Sequence, residues 1–235
     1  MLSKLSKIQV RPDLVDEVYK SLLDAISDGS LPPGERITQE EIAEQMNVSR
    51  SPVLQALRLL KKDGLVQDAP GRGILIAELD PEWIGNLYQV RGALDTLAAR
   101  LAAERKADIG TEVIAAGRRA ARGKDVKAMI DADIAFHMAI YRASGNPLII
   151  DTTQLHWVHL RRVMGAVLQA EGQRESIWDE HEEIAKAIAA GDAVLAVELS
   201  DGHATIARQN LVSRLSEVLN SSTSARPPHR ALRAS

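Results

Sequence analysis

The sequence predicts a mainly α protein, an N-terminal winged helix-turn-helix followed by an all-helical antiparallel bundle. Three observations carry this expectation. Residues 31–66, LPPGERITQEEIAEQMNVSRSPVLQALRLLKKDGLV, hold two short amphipathic segments on either side of a turn signal. From Pro81 onward, apolar residues recur at helical spacing between Gly, Pro and Asp stops, and no credible strand pair appears. Residues are 45% hydrophobic but only 3% aromatic, so Ala, Leu, Ile and Val dominate, which favours helices over sheet.

The elements follow in order. Thr38 is a helix N-cap, and Glu41 three residues on closes a capping box. Ile42, Ala43 and Met46 give that helix a short apolar stripe, ending near Asn47, which suits a left-handed conformation, and Val48 packs the corner. Ser49 caps a second helix with Pro52 in its first turn. Val53, Leu57 and Leu60 supply its buried face, with Arg50, Ser51, Gln55, Arg58 and Lys62 mostly elsewhere. Gly64 ends it. Leu65-Val66-Gln67 and Ile74-Leu75-Ile76 read as a strand pair around the turn Ala69-Pro70-Gly71-Arg72-Gly73, a wing with Arg72 near its tip. A helix with basic and polar residues at its start, followed by a cationic wing, is a plan for reading DNA.

The pattern changes near Leu79-Asp80-Pro81. The 235 residues therefore divide into a helix-turn-helix domain over 1–77, a helical domain over 78–220 and a mobile tail over 221–235. Pro81 opens a helix to about Arg105, with a band of Ile84, Leu87, Tyr88, Val90, Ala93, Leu94, Leu97 and Leu101. Further helices are expected over 109–121, 125–143 and 148–171, the last closed by Gly172. Two more run over 176–190, ended by Gly191, and from the Asp192 cap to about Leu219.

Charge and composition bound the function. The chain carries −3 overall, and its first 76 residues hold ten Lys and Arg against eleven Asp and Glu. Positive charge is local to Arg50, Arg58, Lys61, Lys62 and Arg72, while Asp13, Asp16 and Glu17 fall on a leading helix. Modest non-specific DNA affinity follows, with dimerisation needed for useful specific binding. Without cysteine there is no disulfide or thiolate metal site. No apolar run approaches the ~20 residues that span a bilayer, and the start lacks a secretory core, so a cytoplasmic protein is expected.

One cluster in the helical domain carries chemistry. Asp133 and His137 lie four apart on one helix face. His181 sits among Ile177, Trp178, Ile184 and Ile188, and His203 near Val197, Leu199 and Ile206. Both histidines stand ten or eleven residues from the Gly191-Asp192 turn, roughly 15–17 Å at ~1.5 Å per residue, and are therefore level. An Asp/His pair facing two level histidines suits a metal ion bound by three nitrogens and one oxygen. The plain alternative is a set of hydrogen-bonded core residues. A metal held there should dissociate as pH falls through the histidine range near ~6.5.

The run LPPGERI…EEIAEQMNVSRSPV…ALRLLKKDGLV followed by GRG closely resembles the winged-helix domain of GntR-family bacterial transcription regulators over residues 10–77. The DNA-binding set is read as Thr38, Ser49, Arg50, Ser51, Gln55, Arg58 and Arg72; within it the resemblance matches Arg50 to the family's DNA-contacting Arg and places Arg72 in the matching wing. Two departures bear on specificity: Leu54 stands where the family pattern has an Arg that reads base edges, and Glu40 where some members place an Arg. The segments QVRGALDTLAARLA, DIAFH, ASGNPL and EHEEIAKAIAAGD, with His203, resemble the FCD ligand-binding domain of the FadR-like branch over residues 81–215. That resemblance implies a divalent cation, zinc ahead of nickel or manganese, on Asp133, His137, His181 and His203. It also implies a small organic acid whose carboxylate completes the coordination. Arg91 matches an Arg that helps hold such an anion, its plain alternative being a solvated surface residue. Asn146 matches the SGNP corner, where a helix cap is the alternative.

The expected function is a metabolite-responsive transcription regulator that binds double-stranded operator DNA as a homodimer. Repression is the expected sign, because family members more often repress. Two rivals remain at this point: a metal-dependent hydrolase, for which no positioned base is evident, and a DNA-binding protein whose metal is purely structural.

Overall fold

A computed structural model describes residues 14–168 and 175–224, which divide into two compact units, one up to Glu78 and one from Leu79. Expectations for Asp13, for Gly172 and for the tail beyond Ser224 lie outside the described residues. In the first unit, α1 (Leu14–Ser27) buries Val18, Leu22 and Ile26, a stripe of one residue per turn that packs on α3. The two-residue strand β1 (Arg36–Ile37) leads into α2 (Gln39–Gln45), and α3 (Arg50–Lys62) follows. Strands β2 (Val66–Asp68) and β3 (Ile74–Ile76) form the wing. The sheet order is β1-β3-β2, fully antiparallel, with Ile37 opposite Ile74 and Gln67 opposite Leu75.

Sequence reasoning misses β1, because two residues of alternating burial leave too short a period to see. The capping box is present: Thr38 Oγ1 accepts from the Glu41 amide at 3.2 Å, and the Glu41 carboxylate accepts from the Thr38 amide at 2.7 Å. The Thr38 hydroxyl, which donates to the Glu41 carboxylate at 2.8 Å, and then the Thr38 amide hold the Glu41 carboxyl below its usual range. Asn47 takes a left-handed φ of 51° at the corner. Ser49 occupies the N-cap position of α3 in an extended conformation, yet its exposed side chain makes no capping bond. The wing closes tightly. Gly73 has φ 98°, and a Cβ there would stand 2.7 Å from the Ile37 carbonyl oxygen of the neighbouring strand.

The second unit is a bundle of α4 (Pro81–Glu104), α5 (Thr111–Arg122), α6 (Val126–Ser144), α7 (Pro147–Val167), α8 (Ser176–Ala190) and α9 (Ala193–Ser224). Asp80, Asp125, Asn146 and Asp192 cap α4, α6, α7 and α9 through their side chains. Gly145 and Gly191 end α6 and α8 with left-handed φ. Helix α9 runs on to Ser224, so the domain border expected at 220 falls within a helix. The long pair α4 and α9 is the most extensively packed, with Gly92 against Ala204 letting the two backbones approach. None of the described helices is long and apolar enough to cross a membrane.

The expected apolar band on α4 is partly wrong. Val90 is 53% exposed and Ala93 is exposed, while the buried face runs through Ile84, Tyr88, Arg91, Asp95, Ala98 and Ala102. That face keeps the helical period, but an ion pair interrupts its hydrophobicity, so hydrophobicity alone points about a quarter-turn aside around the helix axis.

Candidate functional site

At the start of α3, Ser49, Arg50, Ser51, Gln55 and Arg58 are all exposed, as is Arg72 at the wing tip. Pro52, Val53, Ala56 and Leu57 face the core between them, which fixes the orientation of the polar face. Thr38 is half-buried, and its hydroxyl belongs to the capping box, so it orients α2 relative to this face. The Arg50 guanidinium lies 3.1 Å from the Glu40 carboxylate, both being well exposed. Glu40, the second departure from the family pattern, is therefore in direct contact with Arg50. Arg36 donates to the carbonyl oxygen of Arg72 and so tethers the wing tip to β1. Lys61 is paired with Asp68 on the wing, whereas Arg58 keeps its charge free of ion pairs among the described residues. Leu54 is half-buried on the same helix.

In the bundle, α6, α8 and α9 bring His137, His181 and His203 together, each offering a ring nitrogen within 4.8 Å of the others. Nε2 of His181 stands 3.3 Å from Nε2 of His203, and Asp133 Oδ1 stands 3.6 Å from the same His181 nitrogen. The levels inferred from helix spacing are met. His181 is fully buried, stacked on Phe136 with ring centroids 4.0 Å apart, and Trp178 packs edge-on at 4.7 Å. Nε2 of His137 is buried with no hydrogen-bond partner.

The electrostatics favour neutral imidazoles. Burial pushes His137 well below the usual histidine range, and the Arg91 charge and the other two histidines add to this. Burial does the same to His181, reinforced by His203 and Arg91. Burial raises the Asp133 carboxyl, against the pull of Arg91 and His203. The neutral imidazole is the ligating form, so proton competition for His137 and His181 moves below the ~6.5 expected from sequence alone.

These donors fit a divalent cation. Three imidazole nitrogens and a carboxylate oxygen are a borderline donor set suited to zinc or nickel, with the carboxylate leaving manganese within range. At a tetrahedral angle two metal–nitrogen bonds of about 2.1 Å set the nitrogens about 3.4 Å apart, close to the 3.3 Å between the His181 and His203 nitrogens. One outer hydrogen bond is in place, and a second carboxylate stands near but beyond hydrogen-bond reach. Glu180 meets Nδ1 of His203 at 2.7 Å, and Asp95 Oδ1 lies 3.9 Å from Nδ1 of His137.

Arg91 is 3% exposed, which rules out a solvated surface role. Its Nε lies 3.3 Å from Asp95 Oδ2, and its guanidinium sits 4.0 Å above the Trp157 ring. Burial works hardest against the Arg91 charge, but Asp95, Tyr141, Tyr88 and Asp133 together outweigh it and raise the pKa. Asp95 also accepts from the Tyr141 hydroxyl, so one buried carboxylate joins Arg91, Tyr141 and the edge of His137. A cavity of about 150 Å³ opens on this centre, bordered by Arg91, Asp133, His137, Glu180 and His203. Asn146 is not among its lining residues; its side chain accepts from the Leu148 amide and caps α7. Sequence reasoning passes over Asp95, Glu180 and Arg214, another lining residue. Periodicity carries the signal for two of them: Asp95 follows Arg91 by one turn, and Arg214 follows His203 by three.

Comparison with known proteins agrees with both units. Residues 14–76 match the family described as bacterial regulatory proteins, gntR family, and residues 86–205 match the FCD domain. The HTH-type transcriptional regulator LutR of Bacillus subtilis (strain 168) is 30% identical over 211 residues, covering 77% of this chain and 93% of that protein. A probable D-xylose utilization operon transcriptional repressor of Paenarthrobacter nicotinovorans is 27% identical over 194 residues, covering 81% and 85%. Among solved structures, Escherichia coli McbR/YncC superposes with a TM-score of 0.72 at 21% identity, covering 89% of this chain and 99% of that one, a likeness of fold. The chain belongs to the GntR family of bacterial transcription regulators: it is a DNA-binding regulator rather than an enzyme, with an FCD domain as its second unit.

Proposed function

We propose that this regulator is a cytoplasmic homodimeric repressor whose FCD domain binds a divalent cation, zinc ahead of nickel or manganese, and a small carboxylate effector. The observation that carries this reading is the convergence of His137, His181 and His203 with Asp133 beside a cavity that Arg91 also lines. When bound, the cation supplies a Lewis-acidic position for a carboxylate oxygen. His137 and His181, kept neutral by burial, hold that position, and Arg91 offers a fixed planar donor to the same anion. The cavity reaches Asp133, His137 and His203, which supports an exchangeable ligand rather than a closed structural metal.

On the DNA side, Arg50 and Arg72 make the charged contacts, and Ser49, Ser51, Gln55 and Arg58 complete the polar face, with Thr38 orienting α2 behind it. Asn146 is assigned to capping α7. Repression is supported by the name of the Paenarthrobacter relative. Regulation requires that the carboxylate bind two domain arrangements with different affinity.

The test joins metal to sensing. Purified protein should contain about one divalent ion per chain by elemental analysis, and His181→Ala or His203→Ala should lose it. Those variants should lose the response of operator binding to organic acids, while operator binding itself largely survives. Full metal content together with a normal response would overturn the four-residue centre.

A further inference from the structure

The cavity continues past the imidazoles along α9. His203, Asn210 and Arg214 stand seven and eleven residues apart, which is two and three turns, so one helix face carries all three. Asn210 and Arg214 line the same cavity as His203, and Met164, Val167, Ile177, Ile206 and Leu211 supply apolar lining. Arg214 is half-buried and has no hydrogen-bond or ion-pair partner among the described residues, unlike Arg91, which Asp95 already neutralises. A half-buried guanidinium without an anion has lost hydration and gained nothing in return, so it favours an anionic ligand.

The spacing sets the size of that ligand. Eleven residues at ~1.5 Å each put the Arg214 backbone roughly 16 Å beyond His203 along the axis. Its side chain leans back toward the helix N-terminus, which brings the guanidinium to about 10 Å from the level of the histidine. An acid with a single head at the imidazole end can lay a tail on the apolar wall but leaves Arg214 without an anion.

We propose that the effector is a two-headed acid of the α,ω-dicarboxylate class. One carboxylate sits at the Arg91 and imidazole end, an apolar middle lies against Met164, Val167, Ile206 and Leu211, and the second carboxylate pairs with Arg214. Asn210 donates its side-chain amide to that second head. This deepens the carboxylate reading given above and rests on it.

The experiment titrates full-length, zinc-loaded protein by calorimetry with straight-chain diacids from malonate to sebacate and with monoacids of matched length. A diacid of intermediate length should bind about ten- to a hundredfold more tightly than its matched monoacid, the range for a hydrogen bond to a charged group. Arg214→Gln should abolish that preference while monoacid affinity, metal content and circular dichroism stay unchanged. Arg214→Lys should restore part of it, and Asn210→Leu should weaken the diacid alone. Monoacids binding as tightly as diacids, or a preference that survives in Arg214→Gln, would overturn the two-headed effector and leave the carboxylate reading standing. If no acid of either series binds, the carboxylate reading falls and this inference with it.

Discussion

The Glu180 carboxylate lies 2.7 Å from Nδ1 of His203, so that nitrogen carries the proton and Nε2 is left to face His181. The tautomer needed for metal binding is thereby set by a residue one position before His181 in sequence. Glu180→Gln should lower metal affinity by roughly ten- to a hundredfold, the usual cost of losing an outer hydrogen bond. Competition with a chromogenic chelator measures this directly. Unchanged affinity would mean that Glu180 only decorates the rim.

Metal-free protein should lose stability in mild acid. His137 and His181 are held neutral in the fold, but in the unfolded chain they take up protons near pH ~6.5. The unfolded state therefore binds more protons as pH falls below that value, and stability declines; above it, these two groups contribute no slope. Asp133 works in the opposite sense, since its raised carboxyl takes up a proton in the fold first. Urea midpoints of chelated protein should be level from pH 8 to 7 and fall from pH 6.5 to 5. Equal midpoints at pH 7.5 and pH 5 would contradict this.

The exposed Arg50–Glu40 pair contributes little to folding, within about 1 kcal/mol, because both groups are well solvated. Arg50→Ala should nevertheless cost about 1–3 kcal/mol in operator affinity, with an unchanged circular dichroism spectrum. Fluorescence anisotropy on an operator selected from random DNA provides the readout. Wild-type affinity would move the recognition surface away from the start of α3.

Leu54 cannot donate a hydrogen bond, so any contact it makes with DNA is apolar, as with a thymine methyl. The selected operator should differ from those of relatives with an Arg at that position, and Leu54→Ala should relax preference at one base step. Selection returning the same sequence for both proteins would exclude Leu54 from readout.

Gly117 packs flat against the Trp178 indole, where a Cβ would stand 1.9 Å from the ring. Trp178 is itself buried against His181 and Phe136, so the ring has little room to retreat. Gly117→Ala should destabilise the bundle by about 1–3 kcal/mol and lower metal affinity as well. A thermal midpoint within a degree of wild type would show that Trp178 has another rotamer available.

Element types and most helix ends were legible because local chemistry sets them. Thr38 with Glu41, Gly145, Gly191 and Asp192 each fix a boundary through bonds within a few residues. The convergence of the histidines was legible for a related reason: His181 and His203 flank one tight turn, and a shared distance from a turn is a tertiary fact readable in one dimension. Legibility failed where pairing across the fold decides. The Arg91–Asp95 pair places charge on the buried face of α4, against the hydrophobic pattern, and only the facing helices reveal which side is inside. Arg214 failed for a milder reason, since one Arg on a long polar helix looks solvated until a cavity is found beside it.

Two of the chain's three tryptophans flank the centre, Trp157 beneath Arg91 and Trp178 against His181, while Trp83 packs at a tilt against His159. The protein therefore carries its own optical reporter. A closed-shell ion such as zinc leaves indole emission largely intact, whereas open-shell nickel or manganese a few ångströms away quenches it. Intrinsic fluorescence of freshly isolated protein, before and after chelation, thus separates a closed-shell from an open-shell ion at the proposed centre without any label, probe or substitution.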